Sequence, residues 1–230
     1  MRRFYLFTVV LALVCGPLLA ATLPGTYSLA RVAEGWALHD KGVQLAVEVQ
    51  VGGVTYPGTL FLSGGRYHLD LGEQGVRVFD GVRLKATGVA VLPGVPPVLP
   101  EGVLLQSLPG LTALVEGWGI DLSLGAPGRI ATPDEVLPFV AVLRYGLPPG
   151  PDDLKHPQLA IEPHTWRVRR LVTGDPEVRV EWGGYGKLPD TPWLPQHLKV
   201  WKGQEPIWSM TITSLLPGVP SPSLFVVSGS

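Results

Sequence analysis

Between Gly58 and Ala86 the chain reads GTLFLSGGRYHLDLGEQGVRVFDGVRLKA, apolar and polar residues alternating almost without a break. The alternation is interrupted only at Gly64-Gly65, at Gly72 to Gly75 and at Asp80-Gly81. A period of two puts successive side chains on opposite faces of a strand, so this stretch excludes a helix and demands a sheet with one wet and one covered face. Connections this short join neighbouring strands antiparallel.

The pattern extends in both directions. Val43, Leu45, Val47 and Val49 alternate with Gln44, Glu48 and Gln50, and Gly52-Gly53 turns the chain into a strand carrying Leu60 and Leu62 on its apolar side. Tyr67, Leu69 and Leu71 oppose Arg66, His68 and Asp70; Val76 and Val78 oppose Arg77; Val82 and Leu84 oppose Arg83 and Lys85. A second run starts near Pro157 with Leu159 and Ile161, then Trp166, Val168 and Val172, then Val178, Val180 and Trp182 against Glu177, Arg179 and Glu181. It ends with Leu194 to Trp201 and with Trp208, Met210 and Ile212 against Ser209, Thr211 and Thr213. The two runs amount to roughly ten strands, a number at which an open sheet curls, splits or flattens. The reading is a mainly β protein built on one strongly curved antiparallel sheet, an incomplete barrel, with a two-sheet sandwich as the alternative.

Residues 91 to 120, VLPGVPPVLPEGVLLQSLPGLTALVEGWGI, break the period. Prolines exclude a ladder in the first part. Leu104, Leu108, Leu111, Val115 and Trp118 then recur at spacings of three and four, which predicts short helical turns interrupted at Pro109. A second helix is expected from Tyr27 to Leu38, with Leu29, Val32 and Trp36 on one side. Isolated helices shorter than ~12–15 residues are marginal in water, so both must rest on the apolar face of the sheet.

Residues 1–20, MRRFYLFTVVLALVCGPLLA, read as an export signal: two arginines, an apolar run too short for the ~20 residues of a bilayer span, and small residues at Ala20 and Ala21. Cys15 sits inside the apolar run rather than after a lipoprotein cleavage motif, which leaves a lipid-modified N-terminus as the lesser reading. Cleavage would remove Arg2, Arg3 and the only cysteine, leaving 16 Lys+Arg against 19 acids in residues 21–230, a single domain without disulfide or thiolate chemistry. A chain this acidic, with no basic block, is a poor partner for nucleic acid. The absence of Asn and the presence of only two Met match a bias reported for thermophile proteins.

Catalytic constellations are not evident. Histidines 39, 68, 156, 164 and 197 show no metal-ligand spacing, no G-x-S-x-G elbow or phosphate loop occurs, and the carboxylate pairs Asp134-Glu135 and Asp152-Asp153 sit in Pro-rich turns where capping explains them. No metal or cofactor is expected, and a hydrolase would need Asp, His and Ser to converge in space. Apolar and aromatic surface is what the chain has in excess: seven Trp, six of them after residue 100. One reading of that surface is an ordinary core. The other is a cavity wall formed by Val47, Leu60, Leu62, Tyr67, Leu69, Val78, Trp166, Val180, Trp182, Trp208 and Met210 beneath a lid carrying Trp36, Leu104, Leu108 and Leu111.

Composition does not choose between them, but the order of segments bears on the choice. Gly58 to Leu62 (G-x-L-x-L), Arg66 to Leu71 (R-Y-x-L), Val78 to Leu84 (V-x-D-G-x-x-L), a Pro-rich interruption, Leu159 to Arg170, Val178 to Tyr185 and Leu194 to Trp201 together resemble the periplasmic lipoprotein-carrier superfamily, the LolA-like proteins. The resemblance implies an incomplete barrel whose helical lid, the 91–120 insertion included, closes a hydrophobic cavity for lipoprotein acyl chains or other envelope lipids. It implies a non-enzymatic, chaperone-like carrier in the periplasm, with transient membrane contact and envelope proteins as further partners. It also makes Arg66 the match for an arginine that holds the lid by hydrogen bonds. Gly64-Gly65 stand where the family commonly has proline, His68 stands where a second arginine is frequent, and the alternation puts Arg66 on the polar side. The rival is an envelope interaction module with a solid β core that docks a protein partner by strand addition.

Overall fold

The computed structural model describes residues 23–37, 42–92, 95, 108–123, 125–132, 138–146, 155–174, 177–186 and 194–227. The expected signal and Leu104 lie outside these residues. Among the described residues there are two α-helices, α1 (Gly25–Ala37) and α2 (Leu108–Gly117), and twelve strands. The first five are β1 (Val43–Val51), β2 (Val54–Ser63), β3 (Arg66–Asp70), β4 (Val76–Phe79) and β5 (Leu84–Ala86). The remaining seven are β6 (Ala126–Ala131), β7 (Phe139–Tyr145), β8 (Gln158–Glu162), β9 (Arg167–Val172), β10 (Val178–Gly183), β11 (His197–Lys202) and β12 (Glu205–Leu216).

All twelve form one antiparallel sheet in the order β5-β4-β3-β2-β1-β12-β11-β10-β9-β8-β7-β6. Two meanders therefore meet at a single seam, where β1 pairs with β12 from Gln44↔Leu216 to Gln50↔Ser209 with a bulge between Ala46 and Val47. β5 and β6 stand at opposite ends and do not pair, so the sheet stays open. This is the mainly β, unclosed architecture that the alternation predicts.

The N-terminal meander follows its glycines. Gly52-Gly53 and Gly64-Gly65 have φ between 53° and 82°, the left-handed region that glycine enters without a Cβ penalty, and each pair closes a two-residue hairpin. Pro57 is tolerated in the middle of β2 because β3 pairs only with Thr59 to Ser63, leaving residue 57 on a locally unpaired edge.

Four expectations change. The hairpin β6–β7 falls outside the predicted runs, because Pro127 and Gly128 spoil the alternation of β6, an edge strand that can accommodate them. In β7 both Val142 and Leu143 are buried, because Leu143 joins the main core while Val142 packs with Ile130 and Ala160 in a small cluster on the other face. Pro109 does not interrupt α2 but lies in its first turn, where its missing N–H has no helical acceptor to lose. Val82, expected on the apolar side of a strand, is 87% exposed in the loop before β5.

The fourth change concerns β4. The pairs Tyr67↔Phe79, His68↔Val78 and Leu69↔Arg77 place Phe79 and Arg77 on the face of Tyr67 and Leu69, and Val78 on the opposite face. The register cannot be carried across the turn at Gly72–Gln74, whose residue count sets the parity. Val78 is still buried, at 8% exposure, because the C-terminal turn Pro222–Phe225 lies near β3 on that side: His68 Nδ1 is 2.7 Å from the Leu224 carbonyl oxygen.

Candidate functional site

The inner face of the sheet gathers nine of the eleven side chains expected there. Val47, Leu60, Leu62, Tyr67, Leu69, Val180, Trp182, Trp208 and Met210 are each no more than 3% exposed and belong to one contiguous core. Leu29 and Val32 of α1 and Leu111 and Val115 of α2 join the same core, so both helices rest on this face as their short length requires. Trp36 and Leu108 lie within α1 and α2.

Two expected wall residues are placed differently. Val78 is on the outer face, for the reason given by the β3–β4 register. Trp166 is not in a strand but ends the turn between β8 and β9 at φ 57°; its ring meets Tyr27 of α1 edge-on, with centroids 5.7 Å apart. It thus packs against the main core and also meets the cover.

Polar groups on the inner face cluster at two points. Arg77, 2% exposed, donates from Nε to the Tyr67 hydroxyl at 2.9 Å and from Nη1 to the Ala90 carbonyl at 3.5 Å. It ties β4 to the turn Gly88–Ala90, which leads into the Pro-rich segment. Arg66, matched by resemblance to the lid-holding arginine, instead lies on the outer face, with Nε 3.4 Å from the Ser63 carbonyl and its guanidinium 5.0 Å over the Phe225 ring. The arginine of this meander that is buried on the inner face is therefore Arg77.

The second point holds α1. The hydroxyls of Ser28 and Tyr145 share a buried hydrogen bond of 2.6 Å, Tyr145 also reaches the Leu23 carbonyl at 3.4 Å, and the Gly25 N–H donates to the Leu122 carbonyl at 2.6 Å. Burial pushes the Tyr145 phenol above its usual 10.0, partly offset by the bond from Ser28. Ser28 and Tyr145 are 117 residues apart, so no local pattern could have paired them.

The outer face carries hollows of its own. One, of about 220 Å³, lies between the β6 end (Ile130, Ala131, Thr132) and β9–β11, where Arg169, Glu181, His197, Lys199 and Trp201 line it. A second, of about 530 Å³, shares Lys199 and Trp201 and extends to the β1–β2 and β11–β12 turns. β6 and β11 are five strands apart, which on a flat sheet would separate them by ~24 Å. That they line one cavity shows how far the β6–β7 hairpin rolls back over the outer face. The alternating basic residues of R-V-R-R and L-K-V-W were the available sequence signal, but nothing local indicates that a distant hairpin covers them.

No protein-family model matches the sequence, and no curated protein matches it. Solved structures to which this chain is similar include a LolA superfamily protein from Nitrosomonas europaea, 10% identical, with 89% of this chain and 98% of that one covered at a TM-score of 0.42. A DUF1329 family protein from Desulfovibrio piger is likewise 10% identical, with 88% and 95% covered at a TM-score of 0.48. An outer membrane lipoprotein-sorting protein domain from Vibrio parahaemolyticus, at 10% identity, covers 85% and 95% at a TM-score of 0.38.

Proposed function

We propose that the protein is an exported, non-enzymatic binder or carrier of lipoprotein acyl chains or other envelope lipids, and that the inner face of the sheet is its site. The observation that carries this reading is a continuous apolar wall from Leu60 and Leu69 to Tyr145, covered by helices of only 13 and 10 residues. The cover is held at few polar points, chiefly Ser28–Tyr145 and Gly25–Leu122.

An acyl chain entering beneath the helices replaces their apolar contacts with its own, at ~0.8 kcal/mol per buried methylene, so a long chain offsets the cost of lifting them. The indole N–H groups of Trp182 and Trp208 are buried without an acceptor among the described residues, and an ester carbonyl of the cargo is a suitable acceptor for either. The resemblance in the sequence supports the same reading.

The test is native mass spectrometry and lipid extraction of the purified protein, together with displacement of a fluorescent acyl probe. Co-purifying lipid and saturable probe uptake are the expected result; no bound lipid and no uptake would remove the proposal. The rival, a solid-cored module that docks a protein partner, is favoured by one observation: the described wall residues already pack against one another and the helices. It predicts no probe uptake and stable binding to an envelope protein.

A further inference from the structure

The outer face has a chemistry that acyl binding does not use. Its two hollows, of about 220 and 530 Å³, share Lys199 and Trp201 and so form one groove across β10, β11 and β12 to the end of β1. The ions of this groove are answered from within the protein. Its two lining cations, Arg169 and Lys199, are matched by two lining carboxylates, Glu181 and Glu205. Arg169 is committed to Glu162 Oε2 at 2.6 and 2.9 Å, Glu181 accepts from Arg170 Nε at 3.0 Å, and Glu181 stands opposite Lys199 in the β10–β11 register. A charged ligand has to displace one of these partners, which leaves a partly buried charge unpaired. An uncharged ligand does not.

What the groove has to spare is neutral hydrogen-bonding capacity beside an aromatic ring. Gln50 faces Ser209, Ser209 faces Lys199 and Lys199 faces Glu181, so the four make one cross-strand row over β1, β12, β11 and β10. The side chains of Gln50, Ser209 and Glu205 line the larger hollow and have no hydrogen-bond partner among the described residues. An amide and a hydroxyl each both donate and accept, as sugar hydroxyls do. The Trp201 indole N–H is buried with no acceptor among the described residues, and Arg179 lies 4.5 Å over the ring and holds it in place.

The row advances by ~4.8 Å per strand, close to the length of one hexose unit in an extended β-linked chain. Such a ring has C–H surfaces on its faces and hydroxyls around its edge, so it matches an indole and a row of neutral polar groups at once. We infer that the groove is a binding site for a neutral oligosaccharide, a β-linked chain of hexoses, with Trp201 as the surface on which a ring packs and Gln50, Ser209 and Glu205 as its hydrogen-bonding partners. The site is on the opposite face of the sheet from the acyl wall and does not rest on it. Such a chain comes either from a soluble glycan or from the headgroup of an uncharged glycolipid.

The probes are cellotetraose, followed by calorimetry and tryptophan fluorescence, and phosphatidylcholine vesicles with and without lactosylceramide, followed by co-sedimentation. Cellotetraose binds saturably, with an affinity that salt changes by less than about twofold, because no charge pairs with it. Trp201→Ala weakens binding by about tenfold or more. Gln50→Ala, at an exposed position on β1, weakens it by about threefold or more, and Lys85→Gln, at an exposed position on β5, leaves it unchanged. Circular dichroism melts check the folding of Trp201→Ala, and Gln50→Ala, which leaves the core intact, carries the test if that variant does not fold. Lactosylceramide-dependent sedimentation that is lost with the same substitutions makes a glycolipid headgroup the source; binding of cellotetraose alone makes it a free glycan. No binding of either probe, binding that both variants leave unchanged, or an affinity that collapses with salt overturns the site. Acyl-probe uptake is unaffected by these variants, so its failure and that of the saccharide site are separately visible.

Discussion

Removing the Tyr145 hydroxyl isolates the contact that seats α1 on the sheet. In Tyr145→Phe the Ser28 hydroxyl, fully buried, loses its 2.6 Å partner, and a buried hydroxyl left unsatisfied costs about 1–3 kcal/mol. For a protein of this size that lowers Tm by roughly 2–12 °C. Ser28→Ala leaves Tyr145 only the 3.4 Å contact with Leu23 and costs about 1 kcal/mol. The double variant removes both partners, so its cost falls short of the sum by about 1–2 kcal/mol. Equilibrium unfolding of the four proteins measures this coupling, and additivity within about 0.3 kcal/mol would falsify the assigned bond. The same variant tests the lid. If α1 must lift for an acyl chain to enter, loosening it by about 1.4 kcal/mol tightens apparent probe binding by up to about tenfold. A lower Tm with unchanged or weaker probe binding refutes that coupling. Because burial raises the Tyr145 phenol, the neutral form stabilises the fold fully below pH 10.0, and this contribution is lost as pH rises through the higher folded value. Ultraviolet titration of the wild type against Tyr145→Phe locates that step.

Further expectations concern the sheet and its turns. Arg77→Ala takes the 2.9 Å donor from the buried Tyr67 hydroxyl and costs about 1–3 kcal/mol in denaturant unfolding, whereas Arg83→Ala, at an exposed ion pair, stays within about 0.5 kcal/mol; equal costs would return Arg77 to the surface. Leu69→Ala, at a fully buried site, loses about 2–5 kcal/mol by the same assay, and a loss below 1 kcal/mol would mean that this wall is not packed. Gly88→Ala is destabilising by more than the ~1 kcal/mol of a left-handed non-glycine residue, because the new Cβ meets the Gln74 carbonyl oxygen; a neutral melt refutes the close approach of the two turns. The Asp80 carboxylate accepts from the backbone N–H groups of Arg83 and Val82 at 2.7 and 2.9 Å, which holds its pKa below the usual 3.8. Its stabilising contribution is present above pH 3.8 and disappears as pH falls through that lower value, and an NMR titration midpoint at or above 3.8 contradicts it.

Much of the architecture was legible because along β1–β3 and β10–β12 apolar side chains face the core and polar ones the other side. There, alternation translates directly into facing, as Leu60, Leu69, Val180 and Met210 demonstrate. Legibility fails where both faces are covered. β4 is packed beneath the core on one side and faces the C-terminal turn on the other, so Arg77 and Val78 exchange the faces that their hydropathy suggests. β7 is covered on its outer side by Ile130, and its period vanishes.

The amino-acid order by itself therefore determined strand-forming segments, hairpin positions and the existence of one continuous apolar face, because these depend on period and on glycine conformations acting within a few residues. Tertiary structure alone decided which arginine enters the core, which hydroxyl seats α1 and which cations surround the outer cleft. Each of those depends on register across a turn or on contacts between residues far apart in the sequence, and in the folded chain such contacts are set by the curvature of the whole sheet rather than by any local preference.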